Sequence, residues 1–599
     1  MNTSYLYNPI KNTTKMKKKL IEYSHILLLS IFIIGSFLFI ESNFKYWYSF
    51  MEQYMMFLTT GDYFFNKLAE PGGLNEYLTE FITLSFVYPF GAALSISLIL
   101  GSICACFYLY LKSFHGKPSM FLSILPAFLF WIYPQESIAS LLCILVALSF
   151  ATIYTRLKSN TFRYLFGFVF LTFTYFSAAP SNLLLALLIG LYECCTQKGN
   201  IRFVTTGFAI AYSGILPLVA MRTCYIIPMP EAFLSKHLYH PEFPFPISLL
   251  WIGLSFPIVT LVAYLNEKKP FIKNANLKFV ITSLCLLGGI IAGILYKKDP
   301  LEQAYRYDYY ARQNKWDEIV AHAKEHSVHD LDALVYLNLA LSHTGEFIDK
   351  FLQFPQYGEA GFIPQDPRSR MGLIQASEVA WQIGQINASQ RFAFVGVLSS
   401  ERLVQPRLMK RLVETYLISG EYRAAEKYIK LLELTPHYRN WAIQQRALLD
   451  PEVCSSTKWV AQKRKFLPIT DNPFDLTKTL PSALAFLIDD HPDNRPAFEY
   501  GMGYLLANKD LGTLMHYMQL MKERGESFPV RYQEAICFFY SAVHKDPEAF
   551  NSYPIAPEVK NRYMQYLQYA KKFSAATLKP QFGDTYYYYL QFAPNLNKQ

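Results

Sequence analysis

An apolar run long enough to cross a bilayer constrains a chain more tightly than any other local pattern. Backbone in hydrocarbon must close its hydrogen bonds within itself, and a helix of roughly 20 residues spans the roughly 30 Å core. Nine runs in this chain reach or approach that length: 22–41, 85–111, 118–133, 136–155, 163–178, 181–195, 203–221, 246–265 and 278–296. Three of them (118–133, 163–178 and 181–195) are short, and Pro126, Pro134 and Pro180 interrupt or bound such segments, so tilted or broken helices are expected there. The first run follows KNTTKMKKKL. Its apolar core is too long for a secretory signal and no small-residue cleavage site follows, which reads as an uncleaved signal anchor.

Lysine and arginine set the direction, because short loops rich in them stay on the cytoplasmic side. With the N-terminus inside and nine crossings, the inside segments hold sixteen such residues and the outside loops four: Lys45, Lys67, Arg222 and Lys236. The pattern predicts a basic cytoplasmic N-terminus (1–21) and a membrane domain (22–296) with large outside loops at 42–84 and 222–245. An extracytoplasmic domain (297–599) would follow. Charge divides at the same place: residues 1–296 carry 20 Lys+Arg and 12 Asp+Glu, while 297–599 carry 36 and 34. An outer domain this close to neutral argues against nucleic-acid binding, which needs a basic face.

From Leu301 onward the periodicity is that of short helical pairs. The clearest pair is RLMKRLVETYLIS (407–419) followed by GEYRAAEKYIKLLELTP (420–436), where Gly420 allows the close turn, Tyr422 and Ala425 meet at the crossing, and Pro436 stops the second helix. It resembles the second half of a tetratricopeptide repeat, one residue short of the usual spacing. NKWDEIVAHAKEH (314–326) with DALVYLNLALSHTGEF (332–347), and EYGMGYLLANKDLGTLMHYMQLMKERG (499–525) with RYQEAICFFYSAV (531–543), are weaker relatives. The expected fold class is all-α: a polytopic helical membrane domain followed by an irregular, tetratricopeptide-like α-solenoid. FLQFPQYGEAGFIPQDPRSR (351–370) reads as an ordered loop against the solenoid, and QFGDTYYYYLQF (581–592) as a cap over its last repeat.

No Walker loop, G-x-S-x-G, H-E-x-x-H or glycine-rich dinucleotide fingerprint is present, and neither a cofactor nor a metal is expected. The cysteine pairs Cys104/Cys106 and Cys194/Cys195 have no histidine at ligand spacing and read as small hydrophobes. Cys454 and Cys537 would be able to pair only if the fold brings them together. Acidic residues concentrate in and beside the first outside loop, from Glu41 to Glu80. Within it, Pro71-Gly72-Gly73 breaks the chain, and a helix restarting near Leu74 would set Glu76 and Glu80 on one face, with Leu74, Leu78 and Phe81 on the apolar side.

Carboxylates at a membrane surface suit a base that deprotonates a hydroxyl acceptor beside a lipid-linked donor. On that reading Asp62, Glu70 and Glu76 are the candidate catalytic residues. Arg222 is a candidate for a phosphate, with His237 and His240 beside it in the second loop. Polytopic GT-C glycosyltransferases carry an acidic residue in that first loop, and many spans followed by an outside tetratricopeptide solenoid is similar to the plan of some protein O-mannosyltransferases. Against this, no D-x-D or D-E pair is present in the outside loops 42–84 and 222–245.

Three segments together carry a closer resemblance: DYFFNKLAEPGGLNEYLTEF (62–81), KWDEIVAHAKEH with LVYLNLALSHTGEF, and the terminal GDTYYYYLQF. As a set they resemble uncharacterised multi-pass membrane proteins of Bacteroidetes. The resemblance implies a bacterial inner membrane, a cytoplasmic N-terminus and a periplasmic solenoid, and it implies no activity. The expected partners are the lipid bilayer and a periplasmic protein or peptide held by the solenoid in envelope assembly, with a lipid-linked donor as the alternative.

Overall fold

The structure is a computed structural model that describes residues 9–593 except 54, 115–119, 133–137, 236–246, 269–286, 289–290, 292–300, 365, 367, 400–404, 468–483, 486 and 547–548. Every regular element among the described residues is helical. The chain divides into two compact units, Met1–Glu52 with Phe57–Lys298, and Gln53–Met56 with Asp299–Gln599.

The first unit comprises α1 (Pro9–Glu52), α2 (Gly61–Leu68), α3 (Gly73–Thr83), α4 (Gly91–Leu111), α5 (Met120–Ile132), α6 (Ile138–Arg156), α7 (Asn160–Ala178), α8 (Ser181–Thr196), α9 (Ile201–Thr223), α10 (Met229–Leu234) and α11 (Ile247–Lys268). Among the described residues, five helices are long and apolar enough to cross a membrane: Ser24–Glu52, Gly91–Leu111, Ile138–Arg156, Ile201–Thr223 and Leu249–Lys268. Met120–Trp131 and Ser181–Thr196 are shorter apolar helices, and most of the run at 278–296 lies outside the described residues. The protein is thus a membrane protein by the length and composition of its helices. Ile26, Leu27, Ile31, Ile34 and Leu38 stand exposed on α1, as do Phe203, Val204 and Phe208 on α9. Such continuous apolar surface is at home in lipid rather than in water.

Two sequence readings change here. Residues 42–52, read as the start of a loop, continue α1, a helix of 44 residues. The run from 85 does not enter α4 directly: Leu84–Val87 form a 3-10 turn and Phe90, at φ 64°, redirects the chain. Polar pins hold the bundle. The Tyr110 hydroxyl of α4 donates to the Leu188 carbonyl of α8 at 2.7 Å. Arg163 Nε donates to Glu193 Oε1 at 2.8 Å, and the Tyr154 hydroxyl donates to the same oxygen at 2.9 Å. Arg163 had counted as a loop cation; it is buried, and it neutralises the one acidic group of the α8 segment.

The second unit begins with α12 (Glu302–Ala311), α13 (Trp316–Glu325), α14 (Leu331–Thr344), α15 (Arg370–Ile383), α16 (Ile386–Ser399), α17 (Pro406–Ser419) and α18 (Tyr422–Glu433), and shorter helices run on to Phe592. Neighbours in sequence pack on one another from α15 through α18, the arrangement of a helical-pair stack. Gly345, Gly384 and Gly420 each close a helix in the left-handed conformation, at φ 69°, 94° and 80°. A Cβ at Gly420 would meet nothing within 4 Å, so this glycine is required by its backbone angle and not by a crowded crossing. Residues 351–364 pack as expected: Phe362 lies edge-on to Tyr500 and Tyr504, and the Tyr500 hydroxyl donates to its carbonyl at 3.0 Å. The aromatic tail also caps, with Tyr586 and Tyr587 buried and the Tyr586 hydroxyl on the Leu506 carbonyl. Cys454 and Cys537 are separate buried thiols.

Candidate functional site

The elbow at 61–83 is built from its turn outward. Thr60 caps α2 by accepting from the Tyr63 amide, and α2 ends at Ala69. Gly72 takes φ 72° and donates its amide to the Phe176 carbonyl at 3.1 Å. A Cβ at Gly73 would lie 1.7 Å from the Lys67 carbonyl oxygen, so only glycine lets α3 begin directly against the end of α2. α3 then packs on α6 and α7 with an unusual face inward: its buried residues are Gly73, Asn75, Thr79, Glu80 and Thr83. Asn75 Nδ2 donates to the Ala139 carbonyl at 2.9 Å. Leu78 and Phe81, expected on the apolar side of the helix, are 42% and 56% exposed. In a chain with lipid around it the apolar face turns outward and the polar face finds its partners inside.

That inward face meets α2. Lys67, buried, places Nζ 3.0 Å from Glu76 Oε1 and 2.5 Å from Glu80 Oε1. The Tyr63 hydroxyl donates to Glu80 Oε2. One ammonium therefore serves two carboxylates, with the charge of Glu70 also felt at both. Burial raises the Glu76 carboxyl to about 7; Lys67 opposes the rise and Glu80 adds to it. Burial likewise raises Glu80, against the pull of Lys67 and Tyr63. A carboxyl poised near 7 can give or take a proton at neutral pH.

Of the four described residues among the six singled out from the sequence, Glu76 alone lies inside this cluster. Glu70 is half-buried beside it, and its charge reaches Tyr225 as well. Asp62 is exposed in the first turn of α2 and Arg222 is exposed in the last turn of α9, positions where the helix dipole by itself favours each sign. His237 and His240 lie outside the described residues. Among the described residues no three or more His, Cys, Asp or Glu side chains are placed to hold a metal ion. Sequence reading missed Lys67 and Tyr63. The available signal was their four-residue spacing on α2, opposite the same spacing of Glu76 and Glu80 on α3.

The second unit holds its own buried charge network. Arg407 Nη1 bonds Asp308 Oδ1 at 2.7 Å and its Nη2 bonds Glu378 Oε2 at 3.2 Å. Arg411 Nη2 reaches the same Glu378 oxygen at 2.8 Å, and the Tyr336 hydroxyl donates to Asp308 at 2.6 Å. Four helices (α12, α14, α15 and α17) are pinned together in this way. Burial alone would raise Glu378, but Arg411 and Arg407 outweigh it and hold the carboxyl at about 2.

Residues 19–593 match the model of a family described as a family of unknown function (DUF6057), and the chain belongs to that family. No curated protein and no solved structure matches it.

Proposed function

We propose that this member of a family of unknown function is a multi-pass protein of a bacterial inner membrane, with a cytoplasmic N-terminus and a periplasmic second unit. That unit, a tetratricopeptide-like stack, would hold a protein or peptide partner during cell-envelope assembly. The observation that carries this reading over catalysis is the dispersal of the candidate set. Asp62 and Arg222 are exposed side chains on different helices, and Glu76 is engaged by Lys67. Protease added to spheroplasts bearing a C-terminal tag tests the placement: cleavage within 299–593 from outside supports it. Full protection of the tag would put the second unit in the cytoplasm and remove the reading.

A second reading is favoured by one observation, the neutral-range Glu76 beside a buried lysine at the elbow. It would make the first unit a transferase that uses a lipid-linked donor, with Glu76 as the base. Glu76→Gln and Asp62→Asn separate the two readings in a complementation assay. Loss of function with normal protein level in both variants favours the transferase, and retention in both favours the scaffold.

A further inference from the structure

The segment KWDEIVAHAKEH carries two histidines to which the proposed function gives no role. It folds as α13, with His326 as the residue that closes the helix. His322 and His326 are four residues apart and share one face of the last turn. Their rings lie stacked, with centres 4.3 Å apart and planes 12° from parallel. His326 is exposed and His322 half-buried, so solvent reaches the pair.

Each ring is held at Nδ1. His326 Nδ1 lies 3.3 Å from the His322 carbonyl oxygen, which also receives the His326 amide at 2.9 Å. A carbonyl only accepts, so a neutral His326 ring carries its proton on Nδ1 and its lone pair on Nε2. His322 Nδ1 lies 3.2 Å from the hydroxyl oxygen of the buried Tyr307 on α12, which also accepts from Gln303 Nε2 at 3.2 Å. A hydroxyl oxygen has room for two donors, so Tyr307 can hold the Nδ1 proton of His322 in the same way. An oxygen acceptor on Nδ1 is what orients an imidazole for coordination through Nε2. Closing the helix accounts for the Nδ1 contact of His326. It does not account for a second ring, itself fixed from another helix, laid against the first.

We propose that Nε2 of His322 and Nε2 of His326 chelate one divalent transition ion, Zn2+ or Cu2+, with water in the remaining positions. Neutral imidazoles suit these ions and not Mg2+ or Ca2+, which take oxygen. Two imidazoles on one tetrahedral ion, at about 2.1 Å each, have ring centres about 5 Å apart. The stacked pair meets that by parting roughly 1 Å and opening its planes. The exposed ring of His326, at the helix end, has the room for that swing. Two protein ligands leave the ion open to water, unlike a closed structural zinc site. The inference goes beyond the scaffold reading and does not depend on which side of the membrane the unit occupies.

The experiment uses the full chain in detergent, purified on a tag without histidine. Zn2+ is titrated in competition with a chromophoric chelator, Mg2+ runs in parallel, and Cu2+ is added for electron paramagnetic resonance. Zn2+ should bind saturably, and His326→Ala should weaken it roughly tenfold or more, because the second ligand no longer acts within the same molecule. His329→Ala, an exposed neighbour paired with the Ser327 hydroxyl at 2.7 Å, should leave binding unchanged. The Cu2+ spectrum should show two coordinated nitrogens in the unaltered chain and one in His326→Ala. Zn2+ should also slow hydrogen exchange over 316–325, since an ion bound only to the folded turn stabilises it. Absent or non-saturable Zn2+ binding, undiminished binding by His326→Ala, or equal protection by Mg2+ overturns the proposal. Should His326→Ala fail to fold, the nitrogen count of the unaltered chain decides the question: two sustain the chelate and one overturns it.

Discussion

Glu76 and Glu378 are both carboxylates taken largely out of water, and they move in opposite directions. Their side chains are 16% and 5% exposed, so burial differs little between them. What differs is the stoichiometry of the partners. At the elbow one lysine is shared by Glu76 and Glu80, and burial wins, lifting Glu76 to about 7. In the second unit two guanidiniums converge on Glu378 and win over burial, holding it at about 2. The more buried carboxylate is thus the more acidic one. Burial sets the scale of the shift and the partner ratio sets its sign. A network with cations to spare is a structural fastening; one short of cations keeps a proton in play at neutral pH.

The strongest way to break the contrast is Arg407→Met, which leaves Asp308 and Glu378 buried with one partner fewer. The second unit should lose about 3–5 kcal/mol, read as a lower denaturation midpoint and faster hydrogen exchange in α15. Lys67→Met should cost the first unit about 3 kcal/mol at pH 8, since two largely buried carboxylates then lose the ammonium they share. That loss should shrink below pH 6 as they protonate, whereas the Arg407→Met deficit persists there. A variant whose deficit does not change with pH would refute the account of the elbow.

The unaltered chain sharpens the same comparison through pH. Glu378 is depressed in the folded state, so its stabilisation is full above about 4.5 and is lost as pH falls toward about 2, a change of about 3 kcal/mol. Glu76 is raised, so its contribution is full below about 4.5 and is lost as pH rises through about 7. Exchange corrected for intrinsic rates should therefore quicken toward acid in α15 and toward neutral pH in α3. Both segments quickening in the same direction would contradict the opposed partner ratios.

Smaller effects belong to positions outside both networks. Gly420→Ala should cost about 1 kcal/mol, from the left-handed backbone alone; a loss of several kcal/mol would mean that the turn is crowded after all. Asp62→Asn should change stability by roughly 0.5 kcal/mol or less, the worth of one exposed charge at a helix start.

Some of this was legible in the chain itself. The apolar runs, the break at Pro71-Gly72-Gly73, the glycine-closed hairpins at 345 and 420 and the aromatic cap at 586–592 all follow from local chemistry. Gly384 makes the same left-handed turn, at φ 94°. The direction of α3 was not legible: Leu74, Leu78 and Phe81 mark a stripe, yet a stripe faces the core in water and faces outward in lipid, and periodicity alone does not say which solvent surrounds it.

The sequence by itself determined an all-helical chain with a bilayer-compatible first part and a stacked second part, because hydrogen-bond closure and apolar length are local constraints. Only the tertiary structure decided that Lys67 meets Glu76 and Glu80, and that Arg407 bonds both Glu378 and, 99 residues away along the chain, Asp308. Those outcomes depend on which side chains share a desolvated space and in what ratio, and that is fixed by helix packing rather than by spacing along the chain.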